Sequence, residues 1–220
     1  MIGRCVAMES KGIALVVALL VAACSSKPAA PEVSVADIRT PRLLQPLPRP
    51  GFILTRTDGT PFNFRDETRG TLTFLFFGYT NCPDVCPLHM QNIAAVLDSL
   101  PPETARQVRF VFVTTDPERD TPERLASWLA EFDSTFIGLT GSSVALEVAQ
   151  RSVGAPVAGR DQTSPSGGYG VMHAAQLFAF TPDDSSHVMY PWGVKREDFI
   201  SDIPKLLALY PARPGARARE

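Results

Sequence analysis

The sequence has almost no excess of charge. Its 220 residues carry 21 Lys and Arg against 23 Asp and Glu, a formal -2. A domain that grips nucleic acid needs a basic surplus to neutralise phosphates, so that class of partner is excluded. Long apolar runs are missing too. The longest, residues 13–23, falls well short of the ~20 residues with which a helix crosses a bilayer. No segment repeats at a fixed period, and none of the 15 glycines forms a phosphate-binding motif. Solenoids and the common nucleotide-binding crossovers are thereby excluded. Cysteine is scarce: the four present are Cys5, Cys24, Cys82 and Cys86, and they do not make two equivalent pairs. The apolar content, 45%, suits one domain with a proper core, and the length leaves room for a leader and a linker.

The leader accounts for two of the cysteines. Arg4 and Lys11 precede the apolar run, which has the length of a signal-peptide core, and its end runs into Cys24 as Val21-Ala22-Ala23-Cys24. That tetrad resembles the bacterial lipobox, which implies cleavage before Cys24 and a diacylglycerol on its sulfur. Residues 1–23 are then a lipoprotein signal peptide, whether the chain starts at Met1 or Met8, and the protein is an extracytoplasmic, membrane-anchored lipoprotein. Prolines 28, 31, 41, 46, 48 and 50 mark residues 24–50 as an extended linker behind the lipid, without a regular helix or central strand. A globular domain is expected over 51–210 and a disordered tail over 211–220. Outside the cytoplasm the default for a nearby thiol pair is oxidation, so a pair working reduced there needs a reductant or a metal.

The domain is organised around Phe76-Phe77-Gly78-Tyr79-Thr80-Asn81-Cys82-Pro83-Asp84-Val85-Cys86-Pro87-Leu88-His89-Met90. Residues 72–77 are apolar almost throughout, as in a strand buried on both faces. Met90, Ile93, Leu97 and Leu100 then recur at helical spacing until Pro101-Pro102. Cys82 and Cys86 therefore lie where a central strand hands over to a helix, the end at which open α/β sheets place their chemistry. Proline is favoured at the first helical position, which puts the start at Pro87 and makes Cys86 the N-cap. Unpaired amides at a helix N-terminus favour a thiolate. Such a turn can close to a disulfide or open to hold an ion.

Further elements follow in order. A hairpin over 52–64 turns at Asp58-Gly59, and a strand over 108–113 runs into residues 114–123, where Asp120 or Thr121 caps a helix with Pro122 in its first turn. A short strand over 135–139 and a helix capped by Ser142 or Ser143 and ended by Gly154 come next. Residues 155–171, rich in Gly, Pro and Ser, read as a long mobile loop. Strands over 176–180 and 187–192 form an antiparallel hairpin. A last helix carries Phe199, Ile203, Leu206, Leu207 and Tyr210, with Pro204 near its start or kinking it.

This order, with paired cysteines after the first core strand, resembles the thioredoxin fold: α/β, a central mixed sheet flanked by helices, here with an N-terminal β-hairpin extension. Within that fold the sequence is similar to the Sco/SenC family, which serves copper-site assembly in cytochrome c oxidase. The likeness rests on residues 78–87, on residues 114–123 (TTDPERDTPE) and on Val171-Met172-His173 before a strand. It implies a copper-binding metallochaperone with Cys82, Cys86 and His173 as ligands. Its partner would be the CuA-bearing subunit of the oxidase or another copper chaperone. Thiolates suit soft Cu(I), and imidazole suits Cu(I) or Cu(II). Two thiolates on one metal sit up to about 4.6 Å apart, twice a ~2.3 Å bond, whereas a bridged pair sits about 2 Å apart. Metal and disulfide therefore exclude each other. The same resemblance leaves open a thiol-disulfide oxidoreductase or thiol peroxidase with Cys82 and Cys86 as redox-active residues, or a copper or redox sensor. Of the other histidines, His89 is expected to face solvent on the first helical turns and His187 to lie on the surface. Asp116 and Asp120 read as caps and loop-shaping groups, and Met90 and Met172 as core.

Overall fold

The computed structural model describes residues 33–162 and 169–213. The signal peptide, the lipobox with Cys24, the first part of the linker and nearly all of the tail lie outside the described residues. After a 3-10 turn at Val35–Asp37 come β1 (Arg42–Pro48), β2 (Ile53–Arg56), β3 (Pro61–Asn63), α1 (Phe64–Glu67), β4 (Leu72–Gly78) and α2 (Val85–Ser99). Next are α3 (Pro102–Ala105), β5 (Val108–Thr114), α4 (Pro122–Ala130), β6 (Ile137–Thr140) and α5 (Ser143–Ser152). The chain ends with β7 (Gly159–Asp161), β8 (Gly170–Met172), β9 (Leu177–Thr181), β10 (Ser185–Tyr190) and α6 (Arg196–Leu209).

Eight strands make one sheet in the order β1-β10-β9-β4-β5-β6-β2-β3. The β4-β5 and β5-β6 pairs are parallel, and the others, including β4-β9, are antiparallel. This is the mixed α/β sheet, with its N-terminal hairpin, that the resemblance implies. The apolar run of β4 is buried throughout because alternate side chains serve opposite faces. Leu72, Phe74 and Phe76 join Met90 and Ile93 of α2, Leu125 of α4 and Ile203 of α6 in one core. Leu75 and Phe77 join Phe52, Phe62 and Phe64 of the N-terminal segment and Leu146 of α5 in the other. Thr121 and Ser142 cap α4 and α5 with their side-chain oxygens. Pro204 lies inside α6, with helix continuing on both sides of it.

Three expectations need correction. The segment read as linker up to residue 50 contributes β1, which pairs with β10 at the sheet edge. An edge strand needs only one row of its N–H groups, so Pro46 and Pro48 are tolerated there. The loop expected over 155–171 contains a paired ribbon instead, with Gly159 opposite Met172 and Asp161 opposite Gly170. Its Gly-rich composition hides strand pairing, and its second strand delivers His173. Helix α2 begins at Val85 with Asp84 as N-cap, not at Pro87 with Cys86 as N-cap. The first four N–H groups of any helix lack intrahelical partners, so a proline is harmless at the third position as well as the first.

Candidate metal centre

β4 ends at Gly78, whose carbonyl accepts the Thr115 N–H at 2.7 Å, so the chain turns off the sheet at its carboxyl edge. Gly78 is required there by its neighbour: a Cβ would lie 2.8 Å from Cys86 Sγ and 2.8 Å from the Phe76 ring. The turn toward Cys82 is fastened by Asp120, which accepts from Thr80 N at 3.0 Å, Thr80 Oγ1 at 2.6 Å and Thr114 Oγ1 at 2.7 Å. Asp116 accepts from Tyr169 Oη at 2.9 Å and pairs with Arg119, tying residues 116–119 to the strand pair that delivers His173. Both carboxylates shape loops, as expected. Arg119 also lies over the Tyr169 ring at 3.8 Å, and Tyr79 sets its ring edge-on to His173 at 5.7 Å.

On this frame the chain brings together the three residues singled out from the sequence. One ligand atom each from Cys82, Cys86 and His173 lies within 4.8 Å of the other two. Cys86 Sγ is 3.5 Å from His173 Nε2, and Cys82 Sγ accepts the Cys86 N–H at 3.5 Å. Cys86 is buried, while Cys82 and His173 are partly exposed. His173 Nδ1 lies 3.0 Å from the Ala174 carbonyl oxygen, which can only accept, so the proton sits on Nδ1. Nε2 is left with its lone pair directed to the sulfurs.

The two thiols are made unequal. The Cys86 S–H donates to Cys82, and with the Asp84 and Cys86 amides this brings the Cys82 thiol down to about 3. Burial first, and then the neighbouring Cys82, push the Cys86 thiol far up. The pair at neutral pH is one thiolate and one thiol. Its two sulfurs and one imidazole nitrogen match the donor preference of a soft or borderline metal ion. Cys82 and Cys86 are not bridged to each other.

The remaining candidates sort differently from expectation. His89 does not face solvent. It is 5% exposed, with Nε2 2.9 Å from the Ala175 carbonyl oxygen, and burial lowers its pKa. The signal was in the spacing: His89 follows Cys86 by three residues and precedes Ile93 by four, on the buried stripe of α2. Met90 is core as expected, but Met172 is 65% exposed beside His173 because it sits on the outer side of the short β8. His187 is partly buried, stacked on Tyr210 at 3.7 Å and paired with Asp183 at 2.9 Å.

A model of the SCO1/SenC family matches residues 45–208. The chain belongs to the SCO1/SenC family. Among its relatives, a Stutzerimonas stutzeri protein named for copper binding is 35% identical over 147 residues, 66% of this chain and 70% of that one. The chain spans less than half the length of several other curated relatives. The crystal structure of Arabidopsis thaliana ScoI with copper bound superposes with a TM-score of 0.66 at 28% identity, covering 76% of this chain and 98% of that one. A SCO1/SenC family lipoprotein from Bacillus anthracis str. Ames superposes with a TM-score of 0.60 at 26% identity, covering 74% and 98%.

Proposed function

We propose that Cys82, Cys86 and His173 bind one copper ion as cargo, and that the protein is a metallochaperone for the CuA centre of cytochrome c oxidase. In that role it delivers copper to the oxidase subunit, or reduces its cysteines, or both. The observation that carries this reading is the convergence of two sulfurs and a lone-pair Nε2 within 4.8 Å. One sulfur is a preformed thiolate, ready for the ion, and the other is buried against Gly78, which fixes its position. Copper supplies the electron-accepting soft centre that these donors prefer. The chain's own residues do the rest: Ala174 fixes the histidine tautomer, and the burial of Cys86 shields one face from water. The partner is the CuA-bearing subunit or another copper chaperone. A diacylglycerol on Cys24 would hold the domain at the outer face of a bacterial membrane.

Anaerobic Cu(I) titration of the reduced full-length chain in detergent, against a competing chelator, tests the site. One ion per chain is expected, with none bound tightly by the chain oxidised to a Cys82–Cys86 disulfide. His173→Ala should bind more weakly and alter the Cu(II) spectrum while remaining folded. Wild-type affinity and spectrum in that variant would remove His173 from the site. For the anchor, mass spectrometry of membrane-extracted protein should find an acyl chain on Cys24, and Cys24→Ser should leave the leader unprocessed.

A second reading has one specific observation in its favour. A half-exposed low-pKa thiolate beside a buried, high-pKa thiol is the asymmetry of a dithiol reductant, the first sulfur attacking and the second resolving. Turnover against a disulfide substrate by the copper-free reduced chain would mark that activity.

A further inference from the structure

We propose that His89 is a positioning residue for the copper site, holding the segment that carries His173 against the helix that carries Cys86. This inference rests on the copper reading of the site. Between β8 and β9, residues 173–176 have no sheet partner. Among the described residues, His89 is the one side chain from outside this segment that hydrogen-bonds its main chain, at the Ala175 carbonyl oxygen, 2.9 Å from Nε2. A carbonyl oxygen accepts, so His89 carries its proton on Nε2, and burial keeps the ring neutral. The bond therefore spans from the first turns of α2, one turn past Cys86, to a residue two positions beyond His173.

The packing makes this a clamp and not a passing contact. The Phe76 ring lies 4.9 Å from His89 and 5.7 Å from His173, so one β4 side chain buttresses both imidazoles. Trp192 also packs on His89, edge-on at 4.9 Å. Swinging the His89 ring out would give up both contacts. Its Nε2 is committed to the carbonyl, and among the described residues the converging ligand atoms are those of Cys82, Cys86 and His173 alone. The two histidines thus take opposite tautomers for different tasks. His173 is protonated on Nδ1 and offers Nε2, whereas His89 is protonated on Nε2 and fixes the main chain that presents His173. A phenylalanine would fill the same space. The hydrogen bond is what requires the nitrogen.

The comparison of His89→Phe with His89→Gln tests this on the full chain. Phe keeps the ring and removes the donor, while Gln keeps an N–H donor at similar reach. The Phe variant should lose about tenfold in Cu(I) affinity, the low end of what supporting residues around metal ligands contribute. Its Cu(II) spectrum should change, and hydrogen exchange across residues 173–176 should speed up. The Gln variant should stay near wild type in all three. In wild-type protein, nitrogen NMR should show the His89 Nε2–H tautomer both without and with Cu(I). A Phe variant with wild-type affinity, spectrum and exchange overturns the proposal, as does loss of the Nε2–H on loading with Cu(I), which would make His89 a ligand. If neither variant folds, the NMR measurement still decides. A wild-type chain that takes up no copper fails the copper reading instead, and the clamp is then judged by hydrogen exchange alone.

Discussion

The molecule buries two polar constellations at opposite sides of β4, and they are built on contrary plans. At one, the Arg49 guanidinium is wholly inaccessible. Its Nη1 donates to Thr68 Oγ1 at 2.6 Å and Thr73 Oγ1 at 3.0 Å, and its Nη2 donates to the carbonyls of Thr71 at 2.9 Å and Thr181 at 2.8 Å. Nε faces the Asp184 carboxylate at 3.1 Å. Burial lowers the Arg49 pKa to about 10, against the pull of Asp184, so the side chain stays charged at neutral pH. Both Nη nitrogens meet acceptors of the protein's own, and Nε is held by the charge of Asp184 without a hydrogen bond. At the other, three electron-pair donors, two sulfurs and an imidazole nitrogen, face one another with one thiol proton among them. A cation enclosed by the protein's own acceptors is architecture, here tying the end of β1 to the β9-β10 hairpin. Donors that converge on each other are a site.

Removing one member from each constellation should break the contrast in opposite senses. Cys86→Ser should abolish tight Cu(I) binding, because a hydroxyl is a poor soft-metal ligand. It should cost only about 1–3 kcal/mol of stability for the buried hydroxyl. Chelator competition and urea unfolding read the two effects. Arg49→Met should do the reverse. Stripping a buried cation from its partners costs about 3 kcal/mol, at the low end for broken buried pairs, since Asp184 is partly exposed and can hydrate. Copper affinity per folded molecule should be unchanged. A loss of affinity in Arg49→Met would show that the two constellations are coupled through β4.

The sequence made one constellation legible and hid the other. Cys82 and Cys86 stood out as paired thiols at the end of a central strand, and His173 through the likeness of residues 171–173 to the SCO1/SenC family. Arg49 lies between Pro48 and Pro50 in a stretch with no periodicity, and nothing local marks an arginine for burial. Its burial is decided by Thr68, Thr71, Thr73 and Asp184, which only the fold brings to it. The same holds for β1 and for the β7-β8 ribbon, where a partner strand and not local propensity makes the structure. By contrast the alternating faces of β4 and the stripe of α2 follow from periodicity alone. His89 belonged to that stripe, and the periodicity that placed Met90 and Ile93 in the core applied to it equally.

Gly78→Ala sharpens the comparison without removing any donor. The new methyl would meet Cys86 Sγ and the Phe76 ring at 2.8 Å each, and both are buried. Overpacking of this kind costs about 1–3 kcal/mol. If the site depends on where Cys86 is held, Cu(I) affinity should fall although all three donors remain. If affinity is kept while stability drops, the site tolerates displacement of its buried sulfur.

The smallest expected effect is a slope. Metal replaces the protons of its ligands, so Cu(I) affinity rises with pH by tenfold per unit for each proton released. Two ordinary thiols near 8.5 would both be protonated at about pH 7, so close to two protons would leave per ion and the slope would flatten above about pH 8.5. Here Cys82 is already a thiolate at neutral pH, held so by the Cys86 S–H, and Cys86 keeps its proton well into the alkaline range through burial and its charged neighbour. One proton should therefore leave per ion, and the slope should stay near tenfold per unit from about pH 7 to about pH 9. Affinity falls as pH falls, because the Cys86 proton competes with the metal. Cys82→Ser removes the neighbouring charge and should bring the Cys86 thiol down, so thiol alkylation in that variant should proceed at lower pH, to the extent that the burial of Cys86 allows. Proton release measured by calorimetry in buffers of different ionisation enthalpy gives the stoichiometry directly. A value near two at about pH 7 would show that the sulfurs titrate as equals and that the asymmetry of the pair plays no part in binding.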